Sequence, residues 1–247
     1  MNTRQQDIVT LVERHGEVTI KELANRLKVS EMTVHRDLEY LQRQKYLYKK
    51  RGAAVFIENT DRANHTFYTD EKNMIGKTAA ELIEAGQSVI FDNSTTALAC
   101  AKHLEEDCRL TFYATGLESA RVLAGYRRAV LYCSGGYYSP DSEGFIGAEA
   151  ERFVSSVQAD VAIIGTSGIT LENGITTPYP MHVPLQRKII ASAKRVILVA
   201  DHSKFGKVAM ERVAPIEDVD LIITDSGIED EVFSAFIQKT KIMIAQE

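Results

Sequence analysis

The chain has 247 residues, 45% of them apolar and 26% charged, with a net charge of −5. This is an ordinary globular composition, enough for one large domain or a small one plus a medium one. No apolar run approaches the ~20 residues that cross a bilayer, and the start "MNTRQQDIVTLVERHG" has no signal-peptide core. Cys100, Cys108 and Cys133 lack metal spacing, so the expectation is a cytoplasmic protein with reduced thiols, no membrane association, no metal and no cofactor. The charge is uneven: residues 1–57 hold 11 Lys+Arg against 7 Asp+Glu, and the remainder holds 18 against 27. A basic small segment on an acidic larger one is the asymmetry expected of a DNA reader attached to a different module.

Residues 1–57 predict three helices and a hairpin. "TRQQDIVTLVERHG" opens on a Thr3/Gln6 capping box and stops at Gly16, with Ile8, Val9, Leu11 and Val12 as its apolar stripe. "TIKELANRLKV" repeats the device with Thr19 and Glu22, its stripe being Ile20, Leu23, Ala24 and Leu27. "SEMTVHRDLEYLQRQ" starts at Ser30 as N-cap and turns Val34, Leu38 and Leu41 inward. Only "KVS" separates the second and third helices, which is a helix-turn-helix connection. The third helix of such a unit enters the major groove. Met32, Thr33, His35 and Arg36 are then candidates for its outer face, arginine for guanine and threonine or methionine for a thymine methyl. Tyr46–Tyr48 and Val55–Ile57 predict the strands of a wing, with Lys49, Lys50 and Arg51 near its tip on phosphates.

This segment resembles the winged helix-turn-helix of the DeoR family of bacterial transcription regulators. The resemblance is carried by Arg4, Glu22–Ala24, Leu27, Val29–Ser30, Thr33–Val34, Arg36–Leu38 and Leu41. The sequence departs from the family pattern at His35, where the family often has Arg, and at "RGAA", which replaces a "GGA" element.

Residues 58–72 are polar and read as a linker, entering a helix from about Glu71 to Ala85. From there apolar strands alternate with helical patterns: Val89–Phe91, Leu110–Tyr113, Ala129–Cys133, Val161–Ile164, Val196–Ala200 and Leu221–Thr224. That predicts an α/β domain with a largely parallel sheet over residues 73–247, whose ligands bind beyond the C-terminal strand ends. The loops there are polar: Asp92 to Thr96 leads into a helix N-terminus suited to an anion. Thr115 and Gly116, then Gly135 and Gly136, follow the next two strands. Gly165, Thr166, Ser167 and Gly168 follow the fourth strand, and Asp201, Ser203 and Lys204 the fifth. Any one such loop is ordinary; five on one sheet edge predict a phosphate-friendly pocket.

"IGTSGI", "DHSKFG" and "DLIITDSGI" also resemble the DeoR family, in its C-terminal sensor. The resemblance implies a fold similar to that of ribose-phosphate isomerases, and a phosphorylated sugar or related metabolite as effector. By the matching motifs it implies a phosphate-pocket role for Asp92, Ser94, Thr95, Thr96, Gly135, Ser167, Gly168 and Lys204. His182 and Gln186 stand where the family often has Glu and Lys; a histidine there would tolerate an acidic ligand such as a phosphorylated sugar acid.

The expectation is thus a regulator of a carbohydrate-catabolism operon, a repressor of double-stranded operator DNA. A homo-oligomer, dimer or tetramer, is expected, since one recognition element specifies too little DNA. The alternatives are a sugar-phosphate isomerase-like enzyme using Asp92, Asp201 and Lys204, and an architectural DNA-binding protein whose larger domain only oligomerises.

Overall fold

The computed structural model describes residues 3–43, 46–50, 52–56, 68–106 and 109–246. They fall into two compact units, Met1–Phe67 and Tyr68–Glu247. Ile57, Arg51, Cys108 and the stretch from 58 to 67 assigned to the linker lie outside the described residues.

The first unit contains α1 (Thr3–His15), β1 (Glu17–Thr19), α2 (Ile20–Leu27), α3 (Glu31–Arg43), β2 (Leu47–Lys50) and β3 (Ala53–Phe56). Ile8, Val9 and Val12 of α1, Leu23 of α2, and Val34, Leu38 and Leu41 of α3 are fully buried together with Leu47. Helical spacing puts the apolar residues of each helix on one face. Between α2 and α3 the chain turns at Lys28, left-handed at φ 53°, and the Val29 N–H donates to the Ala24 carbonyl. This is the left-handed cap that closes a helix end, here made by a lysine rather than glycine. Two cap expectations need correction. Thr3 is the first helical residue rather than a cap. Thr19 does accept the Glu22 N–H, but the Glu22 carboxylate goes to Arg26, so only half of that capping box forms.

β2 and β3 pair antiparallel as the expected wing, and β1 extends the sheet on the far side of β3. The sequence reading has no strand at β1, because three residues carry no periodicity. Arg4 Nε donates to Asp37 Oδ2 at 2.6 Å and Gln5 Nε2 to Asp37 Oδ1 at 2.9 Å. Asp37 is buried, so α1 supplies the partners that its carboxylate could not find in water. The pair fixes the back of α3 while its neighbour Arg36 faces out.

The second unit runs α4 (Thr69–Ala80), β4 (Ser88–Phe91), α5 (Thr95–Lys102), β5 (Thr111–Ala114), α6 (Leu117–Leu123) and β6 (Val130–Cys133). It continues with β7 (Tyr137–Ser139), β8 (Gly144–Ile146), α7 (Ala148–Ser155), β9 (Ala159–Ile164), β10 (Gly168–Thr170), β11 (Gly174–Thr177) and α8 (Val183–Ala191). β12 (Ala193–Val199), β13 (Glu211–Ala214), β14 (Leu221–Thr224), α9 (Asp230–Ile237) and β15 (Ile242–Ile244) complete it. The helix placed at 71–85 thus starts earlier: Thr69 to Lys72, assigned to the linker, form its first turn, and Lys72 is already buried.

Seven strands form one sheet in the order β15-β14-β12-β9-β4-β5-β6, and every pairing in it is parallel. Side chains alternate between two cores. Val89, Phe91, Val161, Ile163, Ile197, Val199 and Ile223 pack with Ile75, Ala79, Cys100 and Leu123 of α4 to α6. Ile90, Ala162, Ile164, Val196, Leu198 and Ile222 pack with Val154, Leu185, Ile189 and Phe236 of α7 to α9. Burial on both faces is why these strands read as unbroken apolar runs. The sequence reading lacks β15, the β7–β8 hairpin and the antiparallel sheet β10-β11-β13. All are short, and β10 and β11 sit in the Gly- and Thr-rich "GITLENGITT", which resembles loop composition.

Asp37→Ala is expected to lower the unfolding free energy by about 1–3 kcal/mol, the usual cost of losing charge-assisted hydrogen bonds at a buried acceptor. Chemical denaturation of the full chain measures this, and an unchanged midpoint of the first unit would remove the pair from the account of α3.

Candidate functional site

Each unit carries its own candidate site. In α3, Ser30 accepts the Thr33 N–H at 3.2 Å, and its hydroxyl lies 2.9 Å from that of Thr33. These two predicted contact residues therefore also close the first turn. Met32 is 72% exposed, Arg36 and Tyr40 are exposed, and His35 is half-buried. Met32, Arg36 and Tyr40 recur every fourth residue and make one outward stripe. Tyr40 is the member that sequence reading missed; its signal is the same spacing, extended one more turn. Lys49 is less available than expected: its Nζ lies 3.6 Å from Glu39 Oε1, tying β2 to α3. The Lys50 side chain and Arg51 lie outside the described residues.

In the second unit, β4 is followed in the chain by β5 and β6 on one side, while β9 and β12 lie on the other. The strand order therefore reverses between β4 and β9, and their C-terminal ends flank the crevice where such sheets take ligands. Asp92 bridges it. Its Oδ1 accepts the Ser94 N–H at 2.8 Å and its Oδ2 accepts the Gly165 N–H at 2.7 Å. Burial pushes the Asp92 carboxyl up, against the opposing hydrogen bonds from Ser94 and Gly165. Ser94 caps α5 by accepting the Ala97 N–H at 3.2 Å. A methyl group on Gly165 would come within 2.4 Å of Ser94 Cβ, so these loops meet only because residue 165 has no side chain. Thr95 and Thr96 open the first turn of α5, Thr96 buried and Thr95 half-buried. Their N–H groups belong to the helix end that carries partial positive charge.

The loop after β12 lies on the next strand. Asp201 is fully buried and accepts from the backbone N–H and the hydroxyl of Ser203, opening a short 3-10 turn from His202 to Lys204. The Gly206 N–H donates to the Ile169 carbonyl at 3.0 Å, which laces this loop to β10. The fold thus brings Asp92, Ser94, Thr95, Thr96, Ser167 and Lys204 onto the ends of three adjacent strands. Other predicted residues fall elsewhere. Gly135 follows β6, two strands from β4, and is exposed. Gly168 is buried with its Cα side against the Lys207 carbonyl, where an added Cβ would lie 2.6 Å away. His182 ends a 3-10 turn before α8, buried with its ring 5.4 Å from that of Tyr179.

Sequence reading missed one charged pair at this edge. Asp225, just past β14, accepts from His202 Nδ1 at 2.6 Å, from the His202 N–H at 2.8 Å and from the Gly227 N–H at 2.9 Å. The His202 ring also meets Tyr68 edge-on at 4.9 Å. The hydrogen bond to Asp225 raises the His202 pKa above its ordinary 6.5, against the effect of burial. Burial pushes the Asp225 carboxyl up, and the bonds from His202 and Gly227 more than offset it. The available signal was "TDSG" at a strand end, like the aspartates after β4 and β12.

A helix-turn-helix with an arginine-bearing outer stripe, on one chain with a parallel α/β domain whose polar loops meet at the strand-order reversal, defines a DNA-binding regulator with a sensor domain. Residues 4–60 match the DeoR-like helix-turn-helix domain and residues 68–226 the DeoR C terminal sensor domain. The chain belongs to the DeoR family of transcription regulators. It is 36% identical over 225 residues to the HTH-type transcriptional repressor GlcR of Bacillus subtilis, covering 88% of this chain and 86% of that one. It is 34% identical to the transcriptional repressor AccR of Agrobacterium fabrum, covering 91% and 89%. To the glycerol-3-phosphate regulon repressor of Haemophilus influenzae it is 33% identical, covering 98% and 96%. Among solved structures it is similar to ribose 5-phosphate isomerase A of Methanocaldococcus jannaschii, with 16% identity, 55% of this chain and 54% of that one covered, and a TM-score of 0.41.

The His202–Asp225 pair has a defined pH signature. A raised folded pKa stabilises fully below the unfolded value of 6.5 and is lost as pH rises through the folded value. The melting-temperature gap between the wild-type chain and His202→Asn is expected to be widest below pH 6.5 and to narrow above it. A gap independent of pH would exclude the ion pair.

Proposed function

We propose that this protein is a homo-oligomeric repressor of a carbohydrate operon that binds double-stranded operator DNA through α3 and is controlled by a phosphorylated sugar or sugar acid. The observation that carries this reading is the presence on one chain of two outward-directed devices. One is the stripe of Met32, Arg36 and Tyr40; the other is a set of anion-suited groups at the reversal point of the sheet. The N–H groups of Thr95 and Thr96, the Ser167 hydroxyl and the Lys204 ammonium are the donors for a phosphate, while Asp92, Ser94 and Gly165 hold the loops that present them. Gly168 supports the Ser167 loop by packing against the Lys207 carbonyl. The relatives named as repressors, at about one third identity across most of the chain, support the DNA arm of the reading.

The commitment of the Asp92 carboxylate to the backbone favours binding over turnover. Proton abstraction needs a base within hydrogen-bonding reach of substrate. Both Asp92 oxygens are occupied by backbone N–H groups; Asp201 keeps an Oδ2 without a hydrogen-bond partner, but it is fully buried. Two-fold assembly through the second unit would give the operator a second recognition helix.

Arg36→Ala is expected to cost roughly 1–3 kcal/mol of operator binding and to relax discrimination against a scrambled site. The fold should survive, since Arg36 is exposed. A titration showing unchanged operator preference would remove α3 from the groove. Lys204→Ala is expected to weaken a phosphorylated-sugar ligand by about ten- to a hundred-fold, as for loss of a charge-assisted partner. Affinity for DNA without ligand should stay near that of the wild type. Calorimetry with the best binder from a thermal-shift screen of sugar phosphates reads this; unchanged affinity in Lys204→Ala and Ser167→Ala would move the phosphate site elsewhere.

A further inference from the structure

The two edges of the seven-stranded sheet are built differently. β15 has three residues, its Ile242 is buried, and exposed Lys239 and Lys241 precede it. Basic residues and short length are what keep a sheet edge from pairing further. β6 at the other edge, Val-Leu-Tyr-Cys, likewise follows two exposed basic residues, Arg127 and Arg128, but it is longer and its own side chains are more exposed. Val130 is 52% exposed and Tyr132 48%, and Cys133 is an exposed free cysteine. Among the described residues β6 pairs with β5 alone.

The backbone of β6 fixes which groups face outward. The Val130 N–H donates to the Leu110 carbonyl and the Ser134 N–H to the Ala114 carbonyl, both toward β5. Backbone groups alternate along a strand, so Tyr132 also faces β5, while the N–H and C=O of Leu131 and Cys133 point away from the sheet. The open groups are therefore symmetric about Tyr132, and the strand is complementary to a copy of itself running the other way.

We propose that β6 is the two-fold interface of the oligomer: the β6 strands of two copies pair antiparallel, centred on Tyr132, and join two sheets into one. The proposal rests on the homo-oligomer reading above and names its surface. In this register Leu131 lies opposite the partner subunit's Cys133, and every outward N–H and C=O of both strands is used. Tyr132 faces its own counterpart as the pair without hydrogen bonds, with Cα atoms about 4.5 Å apart. The exposed face of Val130 and Tyr132, where Tyr132 stacks on Tyr113 at 5.4 Å, becomes continuous with that of the second copy. Charge favours this direction. A parallel partner would set Arg127 and Arg128 against their own counterparts, whereas the antiparallel one carries the two Arg128 residues to opposite ends of the ladder, roughly 25 Å apart at the usual rise per residue. The occupant is a second copy because the chain is read as a homo-oligomer, and a two-fold antiparallel pairing is an isologous interface.

Cys133→Pro deletes an N–H that points away from β5, so it should spare the fold and block the pairing. In sedimentation of the full chain, wild type and Cys133→Ser are expected to show the same oligomer, and Cys133→Pro half that mass. Independently, Tyr132→Cys in the Cys133→Ser background is expected to form a disulfide between copies at position 132 under mild oxidation, since the separation lies within disulfide reach. Val130→Cys in the same background should not, because its counterpart lies four residues further along the ladder. An oligomer of unchanged mass in Cys133→Pro, or no cross-link at 132 in an oligomeric chain, would overturn the edge assignment and leave the oligomer reading standing. A monomeric wild-type chain would overturn both.

Discussion

Parallel pairing is the constraint from which the sensor domain follows. A parallel strand cannot be reached by a tight hairpin, so the chain must cross a face of the sheet after each strand. It does so with α5 and α6 on one side, where α4 also packs, and with α7, α8 and α9 on the other. Two consequences follow together. The strands are buried on both faces and must be apolar throughout. Every strand also ends at the same rim, where polar residues are free to occur without disturbing the core. Asp92, Gly165, Asp201 and Asp225 all stand just past strand ends, and each carboxylate among them ties backbone N–H groups of its own or a neighbouring loop. The rim is thus held by charge and the body by apolar contact.

The smaller unit divides its labour along one helix. Residues of α3 at helical spacing face the core, the α1 anchor or the solvent, and neighbours in sequence have opposite duties. Asp37 is buried against Arg4 and Gln5, while Arg36 is exposed one residue earlier. The anchor matters for the exposed residue. A side chain proposed to meet a base edge is only as well placed as the helix that carries it, and Asp37 fixes that helix from behind.

Much of this was legible in the sequence because it depends on period. The three helices, the wing and six of the seven sheet strands show as 3.6- or 2-residue patterns or as apolar runs. What was not legible depends on contacts between distant segments. β1, β10 and β15 have three residues each and β11 lies in a Gly- and Thr-rich stretch, so they carry no pattern and exist only because a neighbouring strand offers hydrogen bonds. Loop chemistry was read by composition, so the polar rim was found while the duties within it were not. Asp92 looks like a ligand contact in "FDNSTT", yet both its oxygens are engaged by backbone. His202 looks like a spacer in "DHSKFG", yet it pairs with Asp225, 23 positions away. Sequence order places residues on a rim; only the strand order β14-β12-β9-β4 says which of them meet.

Gly165 gives the crevice a particular kind of inflexibility. Its Cα faces Ser94 with room for no further atom, and Ser94 is in turn committed to capping α5. The two loops at the floor of the proposed pocket are therefore locked against each other, and residue 165 cannot take a side chain without pushing Ser94 away. Related regulators that answer to different metabolites would then have to diverge around the walls, at Ser167, Lys204 and the turn ending at His182. A floor that cannot drift and walls that can would let one scaffold acquire new effectors while keeping a single way of gripping the group they share.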